Sequence, residues 1–154
     1  MALIIENGTG VAGADSFETV EQCSAFAVAY WGQSLSGNNA DKEAALRRAF
    51  VLLSVMPWLP DLWPTFGGTI PQAVKNAQSA IARVEFQSPG SLSPVYDRSQ
   101  AKTLTAVGSL QWTAKAGPST VEAARPVVTM AMDFLKAAGL LQENLGGVVW
   151  LDRA

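Results

Sequence analysis

Three glycines near the start of the chain are compatible with two different structures. Gly8, Gly10 and Gly13 have the spacing G-x-G-x-x-G, and they follow the apolar stretch Leu3–Ile5. In dinucleotide-binding folds this spacing joins a strand to a helix, whose N-terminus then holds a pyrophosphate. The segment therefore either opens a parallel α/β sheet or uses its glycines only to turn the backbone sharply.

The position of the first helix decides against the dinucleotide-binding fold. Thr19 and Gln22 have the T-x-x-Q spacing of a capping box, which starts a helix near Val20, well beyond Gly13. A Ser/Gly/Asn-rich loop at 32–38 and another helix follow, instead of a second parallel strand. The predicted order of elements therefore lacks a βαβ unit, and the glycines are interpreted as turn residues.

Proline and glycine mark the ends of the other predicted helices. A second helix opens around Asn39–Asp41 and ends before Pro57, and a third begins at Ile70-Pro71. A last helix begins at Arg125-Pro126 and ends at Gly139. Apolar residues at steps of three and four define the buried face of a helix. For the first helix this face comprises Val20, Cys23, Phe26, Ala27 and Tyr30.

Residues 101–115 are predicted to form a β-hairpin. Thr103–Val107 and Leu110–Ala114 alternate polar and apolar residues on either side of Gly108-Ser109. Glycine at the first position of a two-residue loop fits a type II′ turn, so these two segments are expected to pair.

The length of 154 residues predicts one domain. Its predicted fold class is α+β and mostly α, with four helices, the small hairpin and a short N-terminal strand at Ala2–Ile5. Residues 1–139 form this domain, and residues 140–154 form an extended C-terminal arm. In the arm, Gly146-Gly147 precede the apolar run Val148–Leu151, which either folds back onto the domain or is buried by a neighbouring molecule.

The composition excludes several classes of chemistry. The chain has no histidine and one cysteine, Cys23, so it cannot build a His-activated nucleophile or an internal disulfide. Its carboxylates do not follow the spacing of a metal-binding loop. We therefore predict no enzyme activity, no cofactor, and no catalytic, cofactor-binding or metal-ligating residues. Cys23 is expected to be a small buried hydrophobe, and no apolar run is long enough to cross a membrane.

The charges of the chain argue against tight binding of nucleic acid. Eleven basic and thirteen acidic residues give a net charge of −2, and the sequence contains no block of Lys and Arg. Proteins that hold DNA without regard to its sequence neutralise phosphates with clustered cations. Trp58, Trp63 and Trp112 are accordingly interpreted as core or interface residues and not as platforms for stacked bases.

Several segments, taken in order, resemble a family of small tailed-phage proteins. They are the opening at residues 1–17 (MALIIENGTGVAGADSF), KEAALRRA at Lys42–Ala49, IPQAVK at Ile70–Lys75, Val107-Gly108 of the hairpin, and Arg125-Pro126. The family is often labelled DnaT-like single-stranded DNA binding, and its members serve as head–tail connectors (adaptors) in virions. The chain departs from the family pattern in the loop at Pro57–Pro64 and in its tail.

The resemblance implies a structural head–tail connector subunit of a tailed-phage virion, assembled in the host cytoplasm. The subunit would form a homo-oligomeric ring, expected to be a dodecamer, between the portal protein and the next tail or head-completion protein. DNA would pass through the lumen of the ring without specific binding, and no membrane would be involved. The alternative is a DnaT-like single-stranded-DNA-binding accessory protein of replication.

Two sets of residues are predicted to contact these partners. The arm would reach the portal protein, and its interface residues would be Val148, Val149, Trp150, Leu151, Asp152 and Arg153. Trp150 is the expected anchor, since buried tryptophans are frequent hot spots of interfaces. Arg47 and Arg48 either form a solvated helix face or pair with acidic residues of the next subunit in the ring.

Overall fold

The computed structural model describes residues 2–93 and 127–142 of the chain. This part contains four α-helices and one short 3₁₀ helix. The α-helices are α1 (Val20–Trp31), α2 (Asn39–Ser54), α3 (Gln72–Gln87) and α4 (Thr129–Ala137), and the 3₁₀ helix is Phe66–Gly68. The predicted hairpin at 101–115 and the arm residues predicted to bind a portal lie outside the described residues.

The starts of α1 and α2 lie where the sequence predicts them. The Thr19 hydroxyl accepts a hydrogen bond from the Gln22 backbone at 3.3 Å, and the Gln22 side chain accepts one from the Thr19 backbone at 2.9 Å. This reciprocal pair is a capping box, so that prediction is confirmed. At α2, the Asn38 side chain accepts from the Asp41 backbone at 2.8 Å, and the helix begins at Asn39.

The helix α3 lies at the centre of the described part and packs against α1, α2 and α4. Its small side chains let the neighbouring helices approach closely, since Ala77, Ala80 and Ala82 are almost completely buried. The same core contains large apolar side chains from α2, α3 and α4, namely Leu46, Leu53, Ile81 and Leu135. Burial of each such side chain contributes about 1.5–3 kcal/mol. Packing, more than intrinsic helix propensity, therefore holds these helices in place.

The loop between α2 and α3 adds aromatic rings to the core. Trp58 is 7% exposed, and its Nε1 atom donates a hydrogen bond to the Leu53 carbonyl at 2.8 Å. Its ring stacks on that of Trp63 with centroids 5.6 Å apart, and Phe66 packs edge-on against both. Trp58 lies in the core and the partly buried Trp63 packs against it, which agrees with their interpretation as core or interface residues, whereas Trp112 lies outside the described residues.

The predicted α+β fold class is wrong, because the part of the chain that the structure describes is all-α and contains no strand. The expected strand at Ala2–Ile5 makes only a single parallel bridge, between Ile5 and Ser16. The Glu6 backbone donates to the Ser16 carbonyl at 2.8 Å. A ladder needs several consecutive pairs. The glycine-rich turn on one side and the start of α1 on the other leave room for only one such residue pair in this segment.

The first residues of the predicted arm pack onto the loop between α2 and α3. The Leu140 carbonyl accepts a hydrogen bond from the Leu59 backbone at 3.0 Å, and the Gln142 backbone donates to the Pro57 carbonyl at 2.9 Å. Leu141, between them, is 8% exposed and belongs to the core. These backbone hydrogen bonds hold the chain after α4 against the loop that carries the rings of Trp58, Trp63 and Phe66.

The glycine-rich turn provides a matched test of its packing. Gly8 and Gly10 have positive φ angles of +104° and +79°, where an L side chain costs about 1–2 kcal/mol. A Cβ atom on Gly8 would also lie 2.5 Å from the Gly68 carbonyl carbon, whereas the nearest atom to one on Gly10 is 3.7 Å away. We expect Gly8→Ala to lower the free energy of unfolding by about 1–3 kcal/mol more than Gly10→Ala, measured by urea denaturation. Equal losses would contradict the close approach of the turn to Gly68.

Candidate functional site

The carboxylate of Glu6 closes the glycine-rich turn from inside. Its Oε1 atom accepts hydrogen bonds from the backbone N–H groups of Gly8 at 2.7 Å and Gly10 at 2.9 Å, and Oε2 accepts one from Val11 at 2.7 Å. The side chain is 1% exposed. In a dinucleotide site, backbone N–H groups of this kind would face a phosphate. Since Glu6 occupies them, the glycines act as turn residues, which confirms their interpretation from the sequence.

A second buried glutamate holds a loop in the same way at the end of α3. Glu85 is fully buried and accepts hydrogen bonds from the backbone of Gly90 at 2.6 Å and Leu92 at 2.9 Å. Burial acts to raise the pKa of both Glu6 and Glu85. The backbone N–H groups, and for Glu85 also the Arg48 guanidinium, outweigh burial and hold both pKa values below the ordinary range. Both carboxylates therefore serve to order loops while charged.

The two arginines predicted to lie at a subunit interface form ion pairs inside the chain. Arg48 Nη1 lies 2.8 Å from Glu85 Oε1, and Arg47 Nε lies 2.6 Å from Asp15 Oδ2. Arg47 Nη2 is also 3.7 Å from Glu43 Oε2. These contacts join α2 to α3 and to the segment before α1. A contact of either arginine with another subunit stays a prediction, because a single chain does not test it.

An open pocket of about 330 Å³ lies between α1 and α3. Its apolar lining residues are Ala25, Phe26 and Ala29 of α1, and its amide side chains are Gln22, Gln72 and Asn76. Lys75 of α3 and Glu18, which precedes α1, are its titratable residues. Sequence reasoning missed all of them as site residues, because the pocket brings together two helices that are far apart in the sequence and carry no shared motif.

Glu18 is the buried acid of this pocket. It is 2% exposed, and the Ser79 hydroxyl donates a hydrogen bond to its Oε1 atom. Burial raises the pKa of Glu18 to about 8, although the Ser79 hydrogen bond and the positive charge of Lys75 act in the opposite direction. Glu18 is therefore mostly uncharged at neutral pH, which leaves Lys75 as the charged group of the pocket.

Cys23 lies next to this acid and is also buried, with 2% of its surface exposed. Burial, together with the charge of Glu18, raises the pKa of the Cys23 thiol to about 12. A thiol with so high a pKa is a poor nucleophile. The prediction that Cys23 is a small buried hydrophobe is confirmed.

Aromatic rings lie beside the pocket at the end of α1. Tyr30 is 49% exposed, so its predicted place in the buried face is wrong, because the last turn of α1 reaches the edge of the core. Its ring packs on Phe26 with centroids 4.3 Å apart and edge-on against Phe134 at 5.6 Å. The Arg83 guanidinium of α3 lies 4.1 Å from the centre of the Trp31 ring, a cation–π contact. An exposed ring, supported by two others, therefore adjoins the pocket that Phe26 lines.

Within residues 2–93 and 127–142, no group of three or more acidic, cysteine or histidine side chains is placed to hold a metal ion. None of the helices in this part of the chain combines the length and the apolar character needed to cross a membrane.

The N-terminal part of the chain matches a family of known proteins. Residues 1–65 match the family model described as "Putative DnaT-like ssDNA binding protein". The matched part contains the glycine-rich turn, α1 and α2, and it ends in the loop that leads to α3. No curated protein and no solved structure matches the chain. Over these residues the chain is similar to DnaT-like proteins, so the DnaT-like label of the sequence resemblance is confirmed.

The predicted function as a virion head–tail connector is wrong on this comparison. The matched family is described by the binding of single-stranded DNA, and its description names no virion, portal or ring. The comparison supports the alternative, a DnaT-like single-stranded-DNA-binding protein. The portal, the neighbouring tail protein and the passage of DNA through a ring are without support from this comparison.

The buried acid of the pocket predicts how stability depends on pH. The native state keeps the Glu18 proton up to about pH 8, whereas the unfolded chain releases it near the ordinary glutamate pKa of 4.5. In that window the native state binds more protons, so the free energy of unfolding falls as pH rises, by up to about 1.4 kcal/mol per pH unit. Glu18→Gln mimics the neutral acid and should remove this loss, as measured by urea denaturation at several pH values.

Glu21→Gln is the matched control, because Glu21 lies three residues further along, in the first turn of α1, and is exposed. Its pH profile should follow that of the wild type. Parallel profiles for the wild type and Glu18→Gln would contradict a neutral Glu18 in the folded protein.

Proposed function

We propose that this protein binds single-stranded DNA as a DnaT-like accessory protein of replication, and that it does so without catalysing a reaction. The observation that carries the proposal is the match of residues 1–65 to the family described by DnaT-like single-stranded DNA binding. The matched part supplies α1, and with it one wall of the pocket and the exposed ring of Tyr30.

The charges of the protein limit how such binding can work. The described residues include six basic and nine acidic side chains, and Arg47 and Arg48 are paired with carboxylates. Residues 94–126 add four basic and two acidic residues. Release of counterions from phosphates can therefore supply only a small part of the affinity. Stacking and hydrogen bonding to unpaired bases must supply the rest, and both require a single strand.

Selectivity for single strands over duplexes follows from the small number of phosphates that the protein can neutralise. In a duplex the bases are stacked and paired, so the main contacts open to a protein are phosphates. A sequence without a block of Lys and Arg neutralises few phosphates, and the protein should bind the duplex weakly. An unpaired base presents its face to an aromatic side chain and its edge to amides, and each stacked base contributes about 1–3 kcal/mol. The exposed ring of Tyr30 and the amides of the neighbouring pocket are groups of these two kinds.

Titration of a fluorescently labelled oligothymidine, followed by anisotropy, tests the proposed function. We expect a dissociation constant in the micromolar range and much weaker binding to a duplex of the same length. The logarithm of the affinity should fall with the logarithm of the salt concentration with a slope of about −1.4 to −2.1, for two or three neutralised phosphates. Equal affinity for the duplex, or no binding at low salt, would contradict the proposal.

A further inference from the structure

We infer that the pocket between α1 and α3 holds one unpaired nucleotide of the bound strand, with the base against the apolar wall of α1 and the phosphate at Lys75. This inference rests on the proposed function and assigns its site. It is built on the lining of the pocket, its size and its charge.

The size and the apolar wall of the pocket suit a single base. Its volume of about 330 Å³ lies at the lower end of the range of small-molecule pockets. The apolar lining along α1 consists of the exposed Ala25 and Ala29 and of Phe26, which is 8% exposed. Unpaired bases bind to such surfaces through their faces, and the short alanine side chains leave the space open.

The amides of the pocket suit the edge of a base. Gln22 lies on α1, and Gln72 and Asn76 lie one turn apart on α3, where the Gln72 Nε2 atom donates to Asn76 Oδ1 at 2.9 Å. A carboxamide carries both donors and an acceptor, which matches the mixed pattern on the edges of bases. Gln22 Oε1 already accepts a hydrogen bond from the Thr19 backbone, and Asn76 Oδ1 accepts one from Gln72. Gln22 and Asn76 therefore offer their N–H groups to a base, and Gln72 offers its carbonyl oxygen, without adding charge.

The charge of the pocket suits a phosphate. Lys75 contributes a positive charge, and Glu18 is uncharged at neutral pH because it is buried against Ser79. The pocket is therefore positive although the chain as a whole carries a net charge of −2. Ionised carboxylates elsewhere would repel the strand, whereas Lys75 in this pocket would attract a phosphate.

The strand can continue from the pocket along α1. Phe26 both lines the pocket and packs on Tyr30, so the exposed Tyr30 ring lies where an adjacent base would stack. This continuity favours a nucleotide within a strand over a free nucleotide, because the second base adds its own stacking energy to the first.

Two substitutions on opposite walls of the pocket test the inference, each with a matched control. Ala29→Phe fills the pocket from an exposed position, and Val28→Phe adds the same ring at a half-exposed position of α1 outside the pocket lining. Lys75→Gln removes the charge of the pocket, and Lys136→Gln removes an exposed charge of α4. We expect each pocket variant to weaken binding of oligothymidine by about tenfold. The controls should change it less than twofold, with unchanged helix content by circular dichroism.

The outcomes separate the site from the proposed function. If the wild type does not bind oligothymidine, both the proposed function and this site are overturned. If the wild type binds oligothymidine and the two pocket variants bind it as tightly as the wild type does, only the assignment of the site is overturned. Thymidine monophosphate should compete only at a concentration about a hundredfold above that of the oligonucleotide. Competition by thymidine monophosphate at the same concentration as the oligonucleotide would assign the pocket to a free nucleotide. It would overturn the inference that the pocket holds one nucleotide of a bound strand.

Discussion

The side-chain amide of Gln78 is the interaction on which the arrangement of the helices depends. It is fully buried at the centre of α3. Its Oε1 atom accepts a hydrogen bond from the Phe17 backbone at 2.8 Å, and its Nε2 atom donates to the Ser16 hydroxyl and the Leu46 carbonyl, each at 3.0 Å. One side chain thus joins α3 to α2 and to the segment that enters α1. Because a buried polar group left without partners costs about 1–3 kcal/mol, these three segments are held in one relative placement.

The described part of the chain contains three buried glutamates, whose different surroundings give them different charge states. Glu6 and Glu85 each accept several backbone hydrogen bonds, which compensate for the loss of water and keep the carboxylate ionised. Glu18 accepts one from the Ser79 hydroxyl, so burial dominates and the acid keeps its proton at neutral pH. The number of donors, and not the residue type, decides whether a buried glutamate orders a loop or sits as a neutral group in a pocket.

The same contrast explains where binding can take place. The glycine-rich turn has the donors of an anion site, but the carboxylate of Glu6 already occupies them. The pocket between α1 and α3 combines a neutral acid with Lys75 and three amides, so it remains open to a ligand that carries a phosphate and a base. Since acidic side chains outnumber basic ones among residues 2–93 and 127–142, a small positive pocket beside an exposed aromatic ring is a more effective site there than a diffuse surface charge.

Local signals in the sequence determined the starts of α1 and α2, the turn role of the glycines and the lack of histidine chemistry, since each depends on residues within a few positions. Tertiary structure alone decided the rest. The apolar stretch at Leu3–Ile5 has strand-like residues but only one pairing partner, Ser16, so no strand forms. Tyr30 has the periodicity of a core residue but lies where α1 leaves the core. Glu18 meets Ser79 across 61 positions of sequence. Burial and pairing of this kind depend on which distant segment packs against a residue, and a local sequence pattern does not specify that tertiary contact.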